Sequence, residues 1–506
     1  MPTDDKQLYV VRKDLSGGSN SRQHPTIIGE NQSAVLENID IGVMGEARKR
    51  SGLASIADLT VVADGLFGFD PDGGTFKLVA SYEGMLKSWT PDSPTFASIA
   101  SVGGLSSGVP MSFVKAGELG EGDVLILSNG TDYALRMNQT PTFQDIGNAS
   151  TSSMPKTSVM AYYRNILWAL VDGNLYFSDA YPADYSVAFA STNAFRLPVG
   201  TERALIGLRD VGIVIMGSDQ IWGLNPSAPP VSTDKPEKLL EIGCAASNTA
   251  KMVGDDVLFL AKDGVRGLFR TQQDKLQAGL AFPLSFPLKT EFEDIDWSQI
   301  TKACSVVFDN KYFISLPTGI STYNNQVWVF YPALKAWVVI KGWNVGGWAT
   351  LRINGEERLY AIDSNSGMVY RCWSGTDDNG TAVALNFTSR QEDLGQPLVE
   401  KIGGELEIES EVAGSVSALL IYVSIDGSDF QLLRTLDISS ANAPELPVTL
   451  PFTLADSYMV RNKIHLDSLG NWRTLQIKIL NSQLNALPII IYGYNIITFA
   501  EEYINE

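Results

Sequence analysis

Short apolar runs, each cut by a Gly, Asn or Asp turn and followed by a second apolar run rich in aromatics, recur through the middle of the chain. This is the sequence form of a β-hairpin. It appears in LVASYEGMLKSW around Gly84, VLILSNGTDYAL around Gly130, ILWALVDGNLYFS around Gly173 and VIMGSDQIWGL around Asp219. It continues in VLFLAKDGVRGLF around Gly264, ISLPTGISTYNNQVWVFY around Asn325 and LYAIDSNSGMVYRC around Gly367. From Gly84 to Gly264 the turns are 43 to 46 residues apart, the spacing of four-stranded propeller blades. Separate sandwiches would need about 100 residues each. The pattern therefore predicts an all-β chain with a β-propeller of six or seven blades over 61–375. Gly264 to Asn325 is longer, 61 residues. The excess predicts an insertion near 271–302, a loop with one short helix around the acidic run Glu291, Glu293, Asp294 and Asp296.

The ends read differently. Residues 1–60 are polar, Gly-rich and without periodicity, which predicts an extended N-terminal arm that cannot fold alone. After Cys372, the Gly/Asp-rich SGTDDNGTA marks a boundary. From 376 to 506, strand-like runs such as GGELEIESE, SALLIYVSIDGSDFQLL, TLQIKIL and IIIYGYNIITF lack the blade spacing and suit one β-sandwich.

Composition narrows the function. Of 506 residues, 44% are hydrophobic and 19% charged, so the chain can fill large cores. A formal net charge of -19 opposes sequence-independent nucleic-acid binding, which needs cations along the phosphate backbone. Cys244, Cys304 and Cys372 are widely spaced and read as reduced core residues, forming neither a disulfide framework nor a zinc pair. The N-terminus, with Asp4, Asp5 and Asp14 and no apolar core, does not read as a secretory signal. No apolar run reaches the about 20 residues of a membrane span.

Catalytic patterns are sparse. His24 and His465 are the two histidines of the sequence, which leaves little for a Ser-His-Asp or Cys-His system. Asp70-Pro71-Asp72-Gly73-Gly74 lacks the acids of a calcium loop and reads as a turn. Ser424 to Phe430 looks like the Asp-box hairpin of sialidases, but it is one residue short, occurs once and reads as a type I′ hairpin. Glycosidase propellers pair two carboxylates, a pairing that sequence spacing does not reveal. Trp89, Trp222 and Trp328 follow hairpin turns at strand positions, where packing is the expected use. The Gly-His and Trp-Asp signatures of WD scaffolds do not repeat. The sequence thus predicts no catalytic, cofactor or metal residues, and the chain reads as a non-enzyme. The concentrated positive feature is Arg48-Lys49-Arg50, a kind of triplet common on solvated surfaces; its functional reading is that it meets an acidic partner patch or lines a DNA path.

The arm residues Gly17-Gly18-Ser19-Asn20, Asn31-Gln32-Ser33, Leu36, Asn38-Ile39-Asp40, Gly45 and Arg48-Lys49-Arg50-Ser51-Gly52 resemble the opening of β-propeller tail tube or nozzle proteins of short-tailed bacteriophages. Those commonly run GG-x-N, N-Q, L-x-N, G, R-K-R-P-G; here Ser51 replaces the usual proline and Ser19 an apolar residue. IGCAASNTAKMVGDDVLFLAKDGVRGL, FDNKYFISLP and NNQVWVFYPALKAWVVIKGW resemble later blades of such proteins. LGQPLVEKIGGELEIESE, VSIDGSDF and RTLQIKI resemble the sandwich that follows. The resemblance implies a structural virion protein of the tail, made in the bacterial host cytoplasm and present as a homo-hexameric ring. Portal and adaptor proteins would lie above it, fibre, spike or tip proteins around or below, and DNA would pass through transiently. The arm residues Gly17, Gly18, Asn20, Asn31, Gln32, Arg48, Lys49 and Arg50 become the candidate partner-docking set. The alternative expectation is a carbohydrate-binding or glycan-cleaving propeller at the tail tip.

Overall fold

The computed structural model describes residues 7–500 except 43, 92, 94, 100–104, 140–142, 148–151, 199, 209–211, 229, 232, 279–281, 414–417, 438–456 and 483–487. The described residues are nearly all β. From residue 65 to 372 the chain makes seven small antiparallel sheets in succession, each a meander of neighbouring strands.

Sheet one holds Gly65–Phe69, Lys77–Tyr82, Met85–Trp89 and Ala97–Ser98; sheet two holds Ser112–Glu118, Gly122–Ser128, Leu135–Met137 and Phe143–Asp145. Sheet three is Val159–Tyr163, Ile166–Val171, Asn174–Phe177 and Ala194–Arg196, and sheet four is Glu202–Leu208, Gly212–Gly217, Ile221–Leu224 and Glu237–Leu240. Sheet five has three strands, Lys251–Val253, Asp256–Ala261 and Gly264–Gly267. Sheet six is Cys304–Phe308, Lys311–Leu316, Gln326–Tyr331 and Ala336–Lys341; sheet seven is Val345–Ile353, Glu356–Asp363 and Met368–Cys372. The seven hairpin turns read from the sequence all fall at one corner, between the second and third strands of successive sheets.

The second strands explain the continuous apolar runs. Lys77–Tyr82 and Gly212–Gly217 are buried at every position, because each sheet is covered on both faces by its neighbours and no face is left for alternation. Seven apolar clusters mark the seams. One joins Leu78, Ala80 and Trp89 of sheet one to Leu351, Tyr360 and Ile362 of sheet seven, so the row returns on itself. First strands of sheets one, two, three and four touch in turn, as do those of five, six, seven and one.

The long interval has a physical cause. In sheet five the helix Leu268–Ala278 follows the third strand where the other sheets place a fourth. The Asp256 carboxylate accepts from the backbone N–H groups of Phe269 (2.8 Å) and Arg270 (3.3 Å) and so holds the helix start. A second helix, Lys289–Glu293, and a 3-10 turn, Ile300–Lys302, complete the segment, which is more helical than the predicted loop.

The arm is not a free strap. Leu53–Asp58 pairs with Met368–Cys372 and supplies the fourth strand of sheet seven. Val35–Glu37 sits between Ala336–Lys341 of sheet six and Asn386–Glu392. It thereby joins sheet six to a C-terminal sheet that continues through Leu475–Asn481, Ala418–Ile425 and Gln431–Asp437. Ile39–Ile41, Ala47–Lys49 and Gln7–Arg12 enter a second C-terminal sheet with Ile489–Ala500, Lys401–Ala413 and Ser457–His465. Ile408, Ile421, Ile477 and Ile491 lie in the core between these two sheets, and that core is continuous with Phe313 and Val338 of sheet six. The SIDGSD segment is a turn of this unit: Asp426 (φ 50°) and Gly427 (φ 77°) are both left-handed, and the Ser428 N–H donates to the Ile425 carbonyl at 2.9 Å. This is the type I′ geometry the sequence predicts.

Candidate functional site

The candidate docking residues fall into two groups, both built into the chain. In the first, the arm doubles back. The Gly17 N–H donates to the Asn31 carbonyl (2.9 Å) and the Asn20 N–H to the Ser33 carbonyl (2.8 Å), while the Ser33 N–H returns to Gly18 (3.0 Å). The Asn20 side-chain amide donates to the Gln32 side-chain oxygen at 2.9 Å, and that oxygen also accepts from the Gly29 N–H. Gly18 is left-handed, at φ 78°, and lies so close to the Ala336–Trp337 backbone that a Cβ would collide. The GG-x-N…N-Q pattern is therefore a clip seated on the last strand of sheet six. Gly18 and Asn20 are buried; Gly17, Asn31 and Gln32 are half-buried.

In the second group the alternation of a strand splits the basic triplet: Arg48 is exposed and Lys49 is buried, with Arg50 buried after it. The Arg50 guanidinium makes two parallel bonds to Asp378, at 2.9 and 2.7 Å, and a third to Asn38 Oδ1 at 2.9 Å. It lies 4.5 Å over the Trp343 ring, whose indole N–H donates to the same Asp378. Asn38 is itself left-handed at φ 56° and donates to the Ala384 carbonyl at 2.8 Å. A Cβ at Gly52 would collide with the Asp377 carbonyl, so glycine is required where the arm crosses this corner. Burial, reinforced by Arg50, pushes the Lys49 ammonium down to about 8 against the pull of Asp377 and Asp378. In the single chain, side-chain surface at the candidate positions remains chiefly on Arg48, Asn31 and Gln32.

A cavity of about 560 Å³ lies where the first strands converge; each of the seven sheets lines it, at segments beginning with Val62, Gly108, Ser158, Arg203, Ser247, Thr301 and Gly346. Its ionisable groups include Arg203, Lys251 and Lys302 as cations and Asp64 as the one carboxylate among the described lining residues. Burial pushes the Asp64 carboxyl up, opposed by the Gly108 N–H, and pushes Lys251 down. Burial also raises the Cys304 thiol to about 12, so it is an inert neutral thiol. Asn324, from the turn of sheet six, donates to the carbonyls of Lys302 and Val345, both at 2.8 Å, and so stitches sheet six to sheet seven.

The sequence reading missed this cavity. A signal existed in retrospect: Asp64, Arg203 and Lys251 are charged residues at or beside the start of first strands, where a structural strand would carry apolar residues. All three cysteines are free and buried. No group of three His, Cys, Asp or Glu side chains among the described residues could hold a metal, and no described helix is long and apolar enough to cross a membrane.

No protein-family model matches the chain, and no curated protein matches it. Among solved structures it is similar to BBS1N, crystallised in complex with ARL6DN, at 13% identity and a TM-score of 0.38, over 64% of this chain and 97% of that one. It is also similar to an exo-β-1,3-galactanase from Phanerochaete chrysosporium at 10% identity and a TM-score of 0.29, over 89% of this chain and 100% of that one.

Proposed function

We propose that the seven sheets are the blades of a closed seven-bladed β-propeller welded to a C-terminal β-sandwich, and that the chain is a structural subunit of a phage tail tube or nozzle. Six copies form a ring below the portal and adaptor proteins, and DNA leaves through its bore. The observation that carries the reading is the placement of the arm motifs that resemble that family. GG-x-N…N-Q clips the arm to sheet six, and R-K-R-S-G locks it to the corner between sheet seven and the C-terminal unit. These residue types at these positions make the ring and the sandwich one rigid piece, as a wall element needs.

Charge supports the same reading. A conduit must let phosphates slide, so few fixed cations should line it, and the net charge of -19 suits such a wall. Ring closure by six copies needs heterologous side-to-side contacts, which blade edges and the sandwich supply. The work is passive, without turnover chemistry. The test is a virion preparation made without this chain. The expected particles have heads and portals, lack a complete tail and deliver no DNA. Normally tailed, infectious particles without it would overturn the reading.

A further inference from the structure

We propose that the strand Gln7–Arg12 is a docking edge for a second copy of this chain, which lays its own strand Ser457–His465 alongside and so continues the second C-terminal sheet from copy to copy. Taking another copy as the partner rests on the ring proposed above.

Both strands are outermost in that sheet. Across it the order is Gln7–Arg12, Ile489–Ala500, Lys401–Ala413 and Ser457–His465, each antiparallel to the next. Ala47–Lys49 takes the earlier part of Ile489–Ala500, and Gln7–Arg12 the later part. Among the described residues, Gln7–Arg12 pairs with Ile489–Ala500 alone and Ser457–His465 with Lys401–Ala413 alone, so each has one side without a neighbouring strand. Such an edge is a template for another strand unless proline, charge or a bulge blunts it. Gln7–Arg12 reads QLYVVR, with an apolar run from Leu8 to Val11, no proline and an unshifted register.

The outer face of the sheet beside this edge is apolar. Leu8 is buried and Val10 packs on the core, so alternation turns Tyr9 and Val11 outward. On the same face Tyr9 lies beside Ile497, and Phe499 lies beside Ile402. Tyr9 is 73% exposed, Val11 49%, Ile402 45% and Phe499 39%. The solvated side of an antiparallel sheet is ordinarily polar, and a contiguous apolar patch there marks a contact.

Three features make the partner a copy of this chain. The path holds an even number of strands, so its two end strands run in opposite directions. Copies related by rotation about an axis along the strands then meet with Gln7–Arg12 antiparallel to Ser457–His465, and the alternation continues unbroken. Charge also matches. Arg461, Lys463 and His465 have side chains 66%, 59% and 70% exposed, while exposed Asp14 and Glu30 flank the Arg12 end of the other edge, Glu30 at 3.2 Å from Arg12. In the continued sheet the basic stems cover Tyr9 and Val11, and their charged ends approach the tyrosine ring and the acids. Two Ser457–His465 edges would instead oppose like charges. The third feature is that the contact is heterologous: each copy uses one edge and offers the other, as ring closure requires, whereas two Gln7–Arg12 edges would stop at a dimer.

The test is cross-linking of the full chain, alone and seated on the portal and adaptor complex. Val11→Cys and Lys463→Cys are made in separate chains, the native cysteines being buried, and treated with a short bismaleimide singly and mixed. Cross-linked dimer is expected only in the mixture, with one chain of each kind. Tyr9→Lys combined with Val11→Lys sets like charge against Arg461 and Lys463 and should weaken self-association at least about tenfold in analytical ultracentrifugation. Its melting temperature should stay unchanged, since both positions are exposed. V11C chains cross-linked to each other, no mixed dimer, or undiminished association of a folded Y9K/V11K chain would overturn the docking edge, and six-fold rings in the same preparations would leave the ring reading standing. Monomers under every condition would overturn both.

Discussion

At the residue scale, Arg50 is the clearest case of one side chain holding distant parts together. Its partner Asp378 lies 328 positions away; the Arg50 side chain is fully buried and that of Asp378 17% exposed. Removing one member of such a pair leaves a buried charge uncompensated and typically costs about 3–5 kcal/mol. Arg50→Ala should lose that much in urea unfolding, and Arg50→Lys should recover little of it, since an ammonium cannot make the two parallel bonds. Buried tyrosines set the alkaline limit. Tyr331 donates to Asp40 at 2.6 Å and Tyr494 to Glu392 at 2.9 Å; burial first, then those carboxylates, push both phenols well above 10.0. A folded-state pKa above the unfolded one means that the stabilisation is complete below pH about 10 and is lost as pH rises beyond it. Lys49 acts oppositely: its folded pKa of about 8 is below its ordinary 10.5, so its burial penalty is relieved as pH climbs from about 8 to 10.5. Melting temperature measured from pH 7 to 12 should therefore hold to about 9, fall gently above it as the buried thiols of Cys244, Cys304 and Cys372, all pushed up by burial, outweigh Lys49, and fall steeply beyond about 10. The triplet Arg48-Lys49-Arg50 stands out in the sequence as charge, yet its use was not legible there, because a buried arginine is recognised by a carboxylate that only the fold brings to it.

At the element scale, the hairpins were the most legible feature. Turn residues and doubly buried second strands leave a local signature, and all seven turns sit at the same corner of successive sheets. Fourth strands such as Ala97–Ser98 and Phe143–Asp145 are short and partly exposed, so they carry no such pattern. The arm was illegible for a related reason: strands of three residues, as in Val35–Glu37 and Ile39–Ile41, are too short to show periodicity and owe their form to the strands beside them. The seam between sheets one and seven depends on Trp89, 6% exposed and edge-on to Tyr360 at 5.8 Å. Trp89→Ala should cost about 3–5 kcal/mol. Hydrogen exchange should then rise first in sheet one and in the closing strand Leu53–Asp58; a uniform rise across all sheets would argue against a ring closed at this seam.

At the scale of the whole molecule, the arm, sheets six and seven and the C-terminal unit share one continuous core, and six further apolar clusters join the remaining sheets to it as one packed block. The sequence resemblance and the strong negative charge turn that block into a wall element in the account proposed above. The central cavity is a property of the single chain and is separable from assembly. Negative-stain class averages of the purified full-length chain, alone and mixed with its portal and adaptor complex, test the central claim most directly. The account predicts six-fold rings with an open bore that seat on the adaptor face of that complex. Single, unassociated particles under every condition would contradict it.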